Sequence, residues 1–90
     1  MGKEVTFKNR DRMIQIGISI LTVRRLRGMS QEELAAKAGI SRTYLAMIES
    51  PTAVHNFSLD VLFNIADALG VDPADLISTS VFPDKIIKNG

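Results

Sequence analysis

The stretch from Gln31 to Ser50 constrains this chain more than any other. Ser30 precedes Gln31, Glu32 and Glu33, so its hydroxyl can cap a helix while the Glu33 carboxylate reaches back to the cap backbone. After Ala38, Gly39 permits a left-handed turn without the steric cost of a Cβ. Ser41 then caps a second helix that runs through Glu49. The spacing is that of two helices crossing steeply around a tight turn. Ala35 is small where the second helix crosses, and Leu34, Ala38, Ile40, Leu45 and Ile48 plug the angle between the two.

Ninety residues, 46% apolar and without cysteine, form one small domain. A chain of this size has no room for both a deep core and a large enclosed active site, which favours a binding module. The missing cysteines exclude a disulfide framework, a Cys-containing zinc site and thiol catalysis, and they fit a reducing cytoplasm. The net charge of +1 conceals a lopsided distribution: residues 1 to 45 carry nine basic and four acidic side chains, residues 46 to 90 two and six. Lys3, Lys8, Arg10 and Arg12 precede an apolar run from Met13 to Val23, but Gln15, Ser19 and Thr22 interrupt it and Arg24, Arg25 and Arg27 follow. The run is too short for a membrane span, which needs about 20 apolar residues, so a soluble cytoplasmic protein with no membrane partner is expected.

Around the central pair the chain reads as further helices. In Asp11 to Arg27 the alternation of Ile14, Ile16, Ile18 and Ile20 with polar or small residues also fits a strand. Met13, Ile16, Ile20 and Val23 form a helical stripe that Leu21 and Leu26 widen, and the Arg-rich end before Gly28 favours the helix. Ser58 caps a fourth helix whose Leu59, Leu62, Phe63, Ile65, Ala66 and Leu69 turn inward, leaving Asp60, Asn64 and Asp67 for water. Asp72 caps a short fifth helix with Pro73 at its first position and Leu76 and Ile77 facing the core.

Residues 31 to 50, Gln-Glu-Glu-Leu-Ala-Ala-Lys-Ala-Gly-Ile-Ser-Arg-Thr-Tyr-Leu-Ala-Met-Ile-Glu-Ser, resemble the helix-turn-helix of the Cro and lambda-repressor-like (XRE) family of DNA-binding regulators. The likeness extends over residues 16 to 77. It implies an all-α, compact five-helix domain over 13-78; the charges ahead of it read as a basic N-terminal arm over 1-12 and the apolar residues after it as a tail over 79-90. It also implies that the third helix enters the major groove of double-stranded DNA. By position, Arg42 and Thr43 resemble the principal base-reading sites, with Ala46 and Met47 one turn later on the same face. Arg42 either makes a bidentate contact with guanine or touches phosphate alone. Gln31 resembles the position that meets a phosphate at a helix N-terminus. Tyr44 either reaches phosphate or covers the helix junction, and Ser41 and Thr43 serve as caps, backbone donors or readers. Arg24 and Glu49 match positions that form a structural ion pair between the first and third helices, expected here to be partly buried. Arg25 and Arg27, with Arg10 and Arg12, are candidate phosphate contacts, the N-terminal charges being alternatively a solvated tail.

The sequence departs from the family in two places. The loop from Ser50 to Phe57 has no Lys or Arg near the DNA backbone, and residues 31 to 50 sum to −1, so electrostatic affinity for DNA is expected to be modest. Where the family has an Arg, Leu21 exposes apolar area for a tail or partner to cover. Val81, Phe82, Ile86 and Ile87 pack either across the two-fold axis of a homodimer on a palindromic operator or back onto the first helix. The favoured reading is a repressor; the alternative is an antitoxin or adaptor that keeps the fold and binds another protein. An enzyme is not expected. The single histidine, His55, lies in a polar loop, Asp72 and Asp75 are explained by capping, and no cofactor or metal motif is present.

Overall fold

Five helices follow one another in the computed structural model, which describes residues 9–52 and 55–78: α1 (Arg10–Leu26), α2 (Gln31–Ala38), α3 (Arg42–Glu49), α4 (Leu59–Leu69) and α5 (Pro73–Ser78). The described residues contain no strand. The ambiguity in the first segment is resolved by packing. As a helix it brings Gly17, Ile20 and Arg24 to one face, all buried, and sets Ile16 and Val23 against the core. A strand would have put all four alternating isoleucines on one side, whereas Ile20 is buried and Ile16 packs against the core while Ile14 and Ile18 belong to neither group.

The expected capping chemistry sets the helix starts. The Ser30 hydroxyl accepts from the Glu33 backbone N–H at 3.0 Å, and the Ser30 N–H donates to Glu33 Oε1 at 2.9 Å, completing the box. Ser41 and Ser58 cap α3 and α4 through the hydroxyl alone, accepting from the Tyr44 and Val61 N–H, and Asp72 accepts from the Ala74 N–H ahead of α5. At the junction of α2 and α3, Gly39 takes a φ of 73° and its N–H donates to Ala36 O, while the Ile40 N–H reaches back to Ala35 O.

The core lies between α2 and α4, which face each other, and is closed by α1 and α5. Ile20, Leu34, Leu45, Ile65, Leu69 and Leu76 are its largest fully buried side chains. Four apolar expectations fail. The sequence pattern turns Leu26, Leu59, Phe63 and Ile77 inward, yet Leu26 is 80% and Leu59 64% exposed, and Phe63 and Ile77 are exposed too. The buried stripe of α4 is only Leu62, Ile65, Ala66 and Leu69, and Phe63 sits about 100° around from Leu62, at the stripe's edge. Leu26 and Leu59 occupy the end positions of their helices.

The boundary expected between arm and domain also shifts. Arg10 and Arg12 belong to the first turn of α1, where Asp11 complements the helix dipole and Arg12 donates to Asn9 Oδ1 at 3.0 Å. Lys3 and Lys8 of the basic arm, and the tail with Val81, Phe82, Ile86 and Ile87, lie outside the described residues.

Candidate nucleic-acid interface

The α3 helix shows two unlike faces. Leu45, Ile48 and Glu49 are buried against the domain, whereas Ser41, Arg42, Thr43 and Met47 are exposed and Ala46 is half-exposed. The reading face expected from the sequence is therefore on the surface, and the described residues leave it uncovered. Tyr44 is half-buried and packs against the core. The Ser41 hydroxyl accepts from the Tyr44 N–H at 3.0 Å, which commits it to capping in this state.

Behind the reading face a line of hydrogen bonds links three helices. Arg24 on α1 grips Glu49 on α3 with two bonds, Nε to Oε2 at 2.8 Å and Nη2 to Oε1 at 2.9 Å. Both side chains are buried more fully than the partial burial expected, with Arg24 7% and Glu49 2% exposed. The third Arg24 nitrogen donates to Met29 O at 2.8 Å, so the turn between α1 and α2 is held by the same guanidinium. Glu49 Oε1 also accepts from Gln31 Nε2 at 3.0 Å, and Gln31 Oε1 in turn accepts from Arg42 Nη1 at 3.3 Å. Every buried side-chain polar atom among the described residues has a partner.

This arrangement has an electrostatic consequence. The Arg24 guanidinium is held above its usual range, first by the hydrogen bond to Glu49, with burial opposing and the Glu49 charge assisting. A raised folded-state value means that Arg24 contributes its stability at every pH below its unfolded value, which includes the whole neutral range. Arg24 and Glu49 therefore act as a fixed, mutually neutralised strut. The cations left for a ligand on this side are Arg25 and Arg42, which line an open groove with Leu21 and Gln31 at the N-terminus of α2. Glu32 also lines this groove, and Glu32 and Glu33 in the first turn of α2 already answer its helix dipole, so the guanidiniums of Arg25 and Arg42 are what suit the groove to an anion such as a phosphate.

The remaining candidate cations divide. Arg25 is exposed beside the groove. Arg27 is exposed but its Nη2 donates to Gly70 O at 3.3 Å, placing it at the C-terminus of α4. Arg10 and Arg12 stand at the other end of α1, roughly 20 Å along the helix axis from Arg24. Two site features escaped the sequence reading. The tie from Gln31 to Glu49 spans 18 residues and leaves no periodic trace. Gly17 has no room for a side chain, because a Cβ there would overlap the carbonyl oxygen of Ile48 in α3. A glycine in mid-helix, seven residues before Arg24, was the available signal.

Among the described residues no cluster of His, Asp or Glu could hold a metal ion, and no helix is long and apolar enough to cross a membrane.

Comparison with known proteins agrees with this geometry. A family model described as "Helix-turn-helix" matches residues 20–76. The control protein C.BamHI of Bacillus amyloliquefaciens is 49% identical over 49 residues, covering 54% of this chain and 58% of that protein, so the chain spans less than two thirds of that relative's length. The crystal structure of the restriction-modification controller protein C.AhdI from Aeromonas hydrophila superposes with a TM-score of 0.68 at 30% identity, covering 73% of this chain and 97% of that one. The biofilm regulator SinR in complex with DNA superposes with a TM-score of 0.65 at 35% identity, covering 70% of this chain and 98% of that one.

Proposed function

The chain belongs to the helix-turn-helix family of DNA-binding transcriptional regulators, and we propose that it is a repressor that reads a palindromic operator as a homodimer through the first turn of α3. The observation that carries this reading is the division of α3: its inner face is buried and tied to α1, while Arg42, Thr43 and Met47 stand free of the core. Arg42 and Thr43 meet base edges, with Ala46 and Met47 one turn further along the groove. Gln31 and Arg25 meet the phosphate backbone, Gln31 acting as the spacer between the Arg24–Glu49 strut and Arg42. Arg10, Arg12 and Arg27 lie outside the groove that Arg25 and Arg42 line and contribute long-range attraction rather than fixed contacts.

The exposed Phe63 and Ile77, together with the apolar residues of the segment 79–90, support a two-fold contact between copies. The protein acts by occupying DNA, in the cytoplasm, rather than by catalysis. Likeness to two control proteins, one of them a restriction-modification controller, supports a regulated unit of that kind.

The test is selection of an operator from random duplexes, followed by salt titration of Arg42→Ala and Gln31→Ala. Arg42→Ala is expected to cost about 1–3 kcal/mol on the selected site and to relax preference at one base pair. A fall of about one in the salt slope would instead put Arg42 on the backbone. Gln31→Ala is expected to weaken selected and unrelated duplexes alike. If neither substitution weakens binding, α3 is not the reading element. Half-sites about 34–36 Å apart, with two chains per operator by sedimentation, are the expected signature of the dimer.

A further inference from the structure

We infer that Gly17 is a positioning residue for DNA readout: the absence of a side chain there sets the angle at which α3 is presented, an inference that rests on the reading of α3 proposed above. The α3 helix packs principally on α2 and α1. At its start it is held by the turn through Gly39 and Ile40. At its end it is held by α1 at two places. Arg24 binds the Glu49 carboxylate, and Gly17 lets the Ile48 carbonyl come directly against the α1 backbone, where a Cβ would overlap that oxygen and also crowd Ile48 C at 3.3 Å. Gly17 and Arg24 are seven residues apart, so they lie two turns and about 10 Å apart on one face of α1. Together they grip the last two residues of α3 from the side opposite its exposed face.

The obstruction at Gly17 is backbone, which cannot turn aside as a flexible side chain would. A methyl group at position 17 must therefore lift the end of α3 away from α1. Displacing one end of a helix of about 12 Å by about 1 Å tilts it by roughly 5°. The pivot is the capped start of the helix, so Arg42 and Thr43 move least. Ala46 and Met47, nearer the lifted end, move more. A substitution behind the interface thus changes which base pairs are discriminated, in a pattern graded along α3.

The experiment measures discrimination base pair by base pair on the selected operator for the full chain, comparing wild type with Gly17→Ala, Arg42→Ala and Leu69→Ala, a core truncation in α4. All are measured at a temperature where far-UV circular dichroism finds each variant folded. Gly17→Ala is expected to lose about fivefold or more of its discrimination at the base pairs facing Ala46 and Met47, and less at those facing Arg42, while its affinity for unrelated duplexes is retained. Leu69→Ala is expected to leave the profile as in wild type, because lost stability alone does not redistribute specificity. A folded Gly17→Ala with the wild-type profile, or a Leu69→Ala profile altered in the same way, overturns the inference. If Gly17→Ala does not fold, Arg24→Lys, which loosens the other grip, must give the same graded loss, and an unchanged profile overturns the inference. An Arg42→Ala profile identical to wild type sinks the reading of α3 itself, and the role of Gly17 with it.

Discussion

The α3 and α4 helices begin alike and end as different objects. Each opens on a serine whose hydroxyl accepts from a backbone N–H three residues on, at 3.0 Å for Ser41 and 3.2 Å for Ser58. The first turn of α4 then carries Asp60, which complements the positive end of the helix dipole. The first turn of α3 carries no acid and instead presents Arg42. An α3 optimised for its own stability would have an Asp or Glu there. Leaving the dipole unanswered costs a little stability and keeps a positive field available to an outside anion. The ends differ too. α4 closes at Gly70, whose carbonyl accepts from the exposed Arg27 side chain, whereas α3 closes in the buried Arg24–Glu49 pair. Helix initiation is generic chemistry, and the charge of the first turn and the fastening of the last separate a core helix from a presented one.

The largest expected break in this comparison lies at the fastenings. Glu49→Ala leaves the buried Arg24 guanidinium without its carboxylate and is expected to destabilise the fold by about 3–5 kcal/mol in urea denaturation. Arg27→Ala, at the exposed fastening of α4, is expected to cost no more than about 1 kcal/mol. Equal losses would mean that the buried pair is no stronger an anchor than a surface contact. Next in size are the caps. Ser41→Ala and Ser58→Ala should each cost about 1 kcal/mol of stability, but only Ser41→Ala should also weaken operator binding, since it frays the reading turn. The smallest effect is the most discriminating. Thr43→Asp gives α3 the first-turn acid that α4 already has, and is expected to raise stability by about 0.3–1 kcal/mol while lowering DNA affinity. Asp60→Asn should lower stability by a similar amount and leave DNA affinity alone. Tighter DNA binding by Thr43→Asp would contradict the idea that α3 keeps its dipole for a phosphate-rich partner.

Much of this architecture was legible because its signals are local. Ser30 with Glu33, Gly39, Ser41, Ser58 and Pro73 act within one helical turn of themselves, and each stands where its chemistry required. The ion pair was legible only through resemblance, since 25 residues separate Arg24 from Glu49. Leu59, Phe63 and Ile77 were misassigned because periodicity tells which side of a helix is apolar, not how wide a neighbour covers it. The position of Gln31 at the start of α2 was legible, but not the bridge its amide makes between Glu49 and Arg42, a contact made only after α1, α2 and α3 have docked.

The order of residues determined by itself where helices start and stop, that α2 and α3 form a steep pair, and which side chains the first turn of α3 carries. Capping and turn preferences are short-range and need no partner. The tertiary structure alone decided which cations remain free and at what angle α3 is held. Both depend on distances between helices remote in the chain, above all on the approach of the α1 backbone at Gly17 to the Ile48 carbonyl.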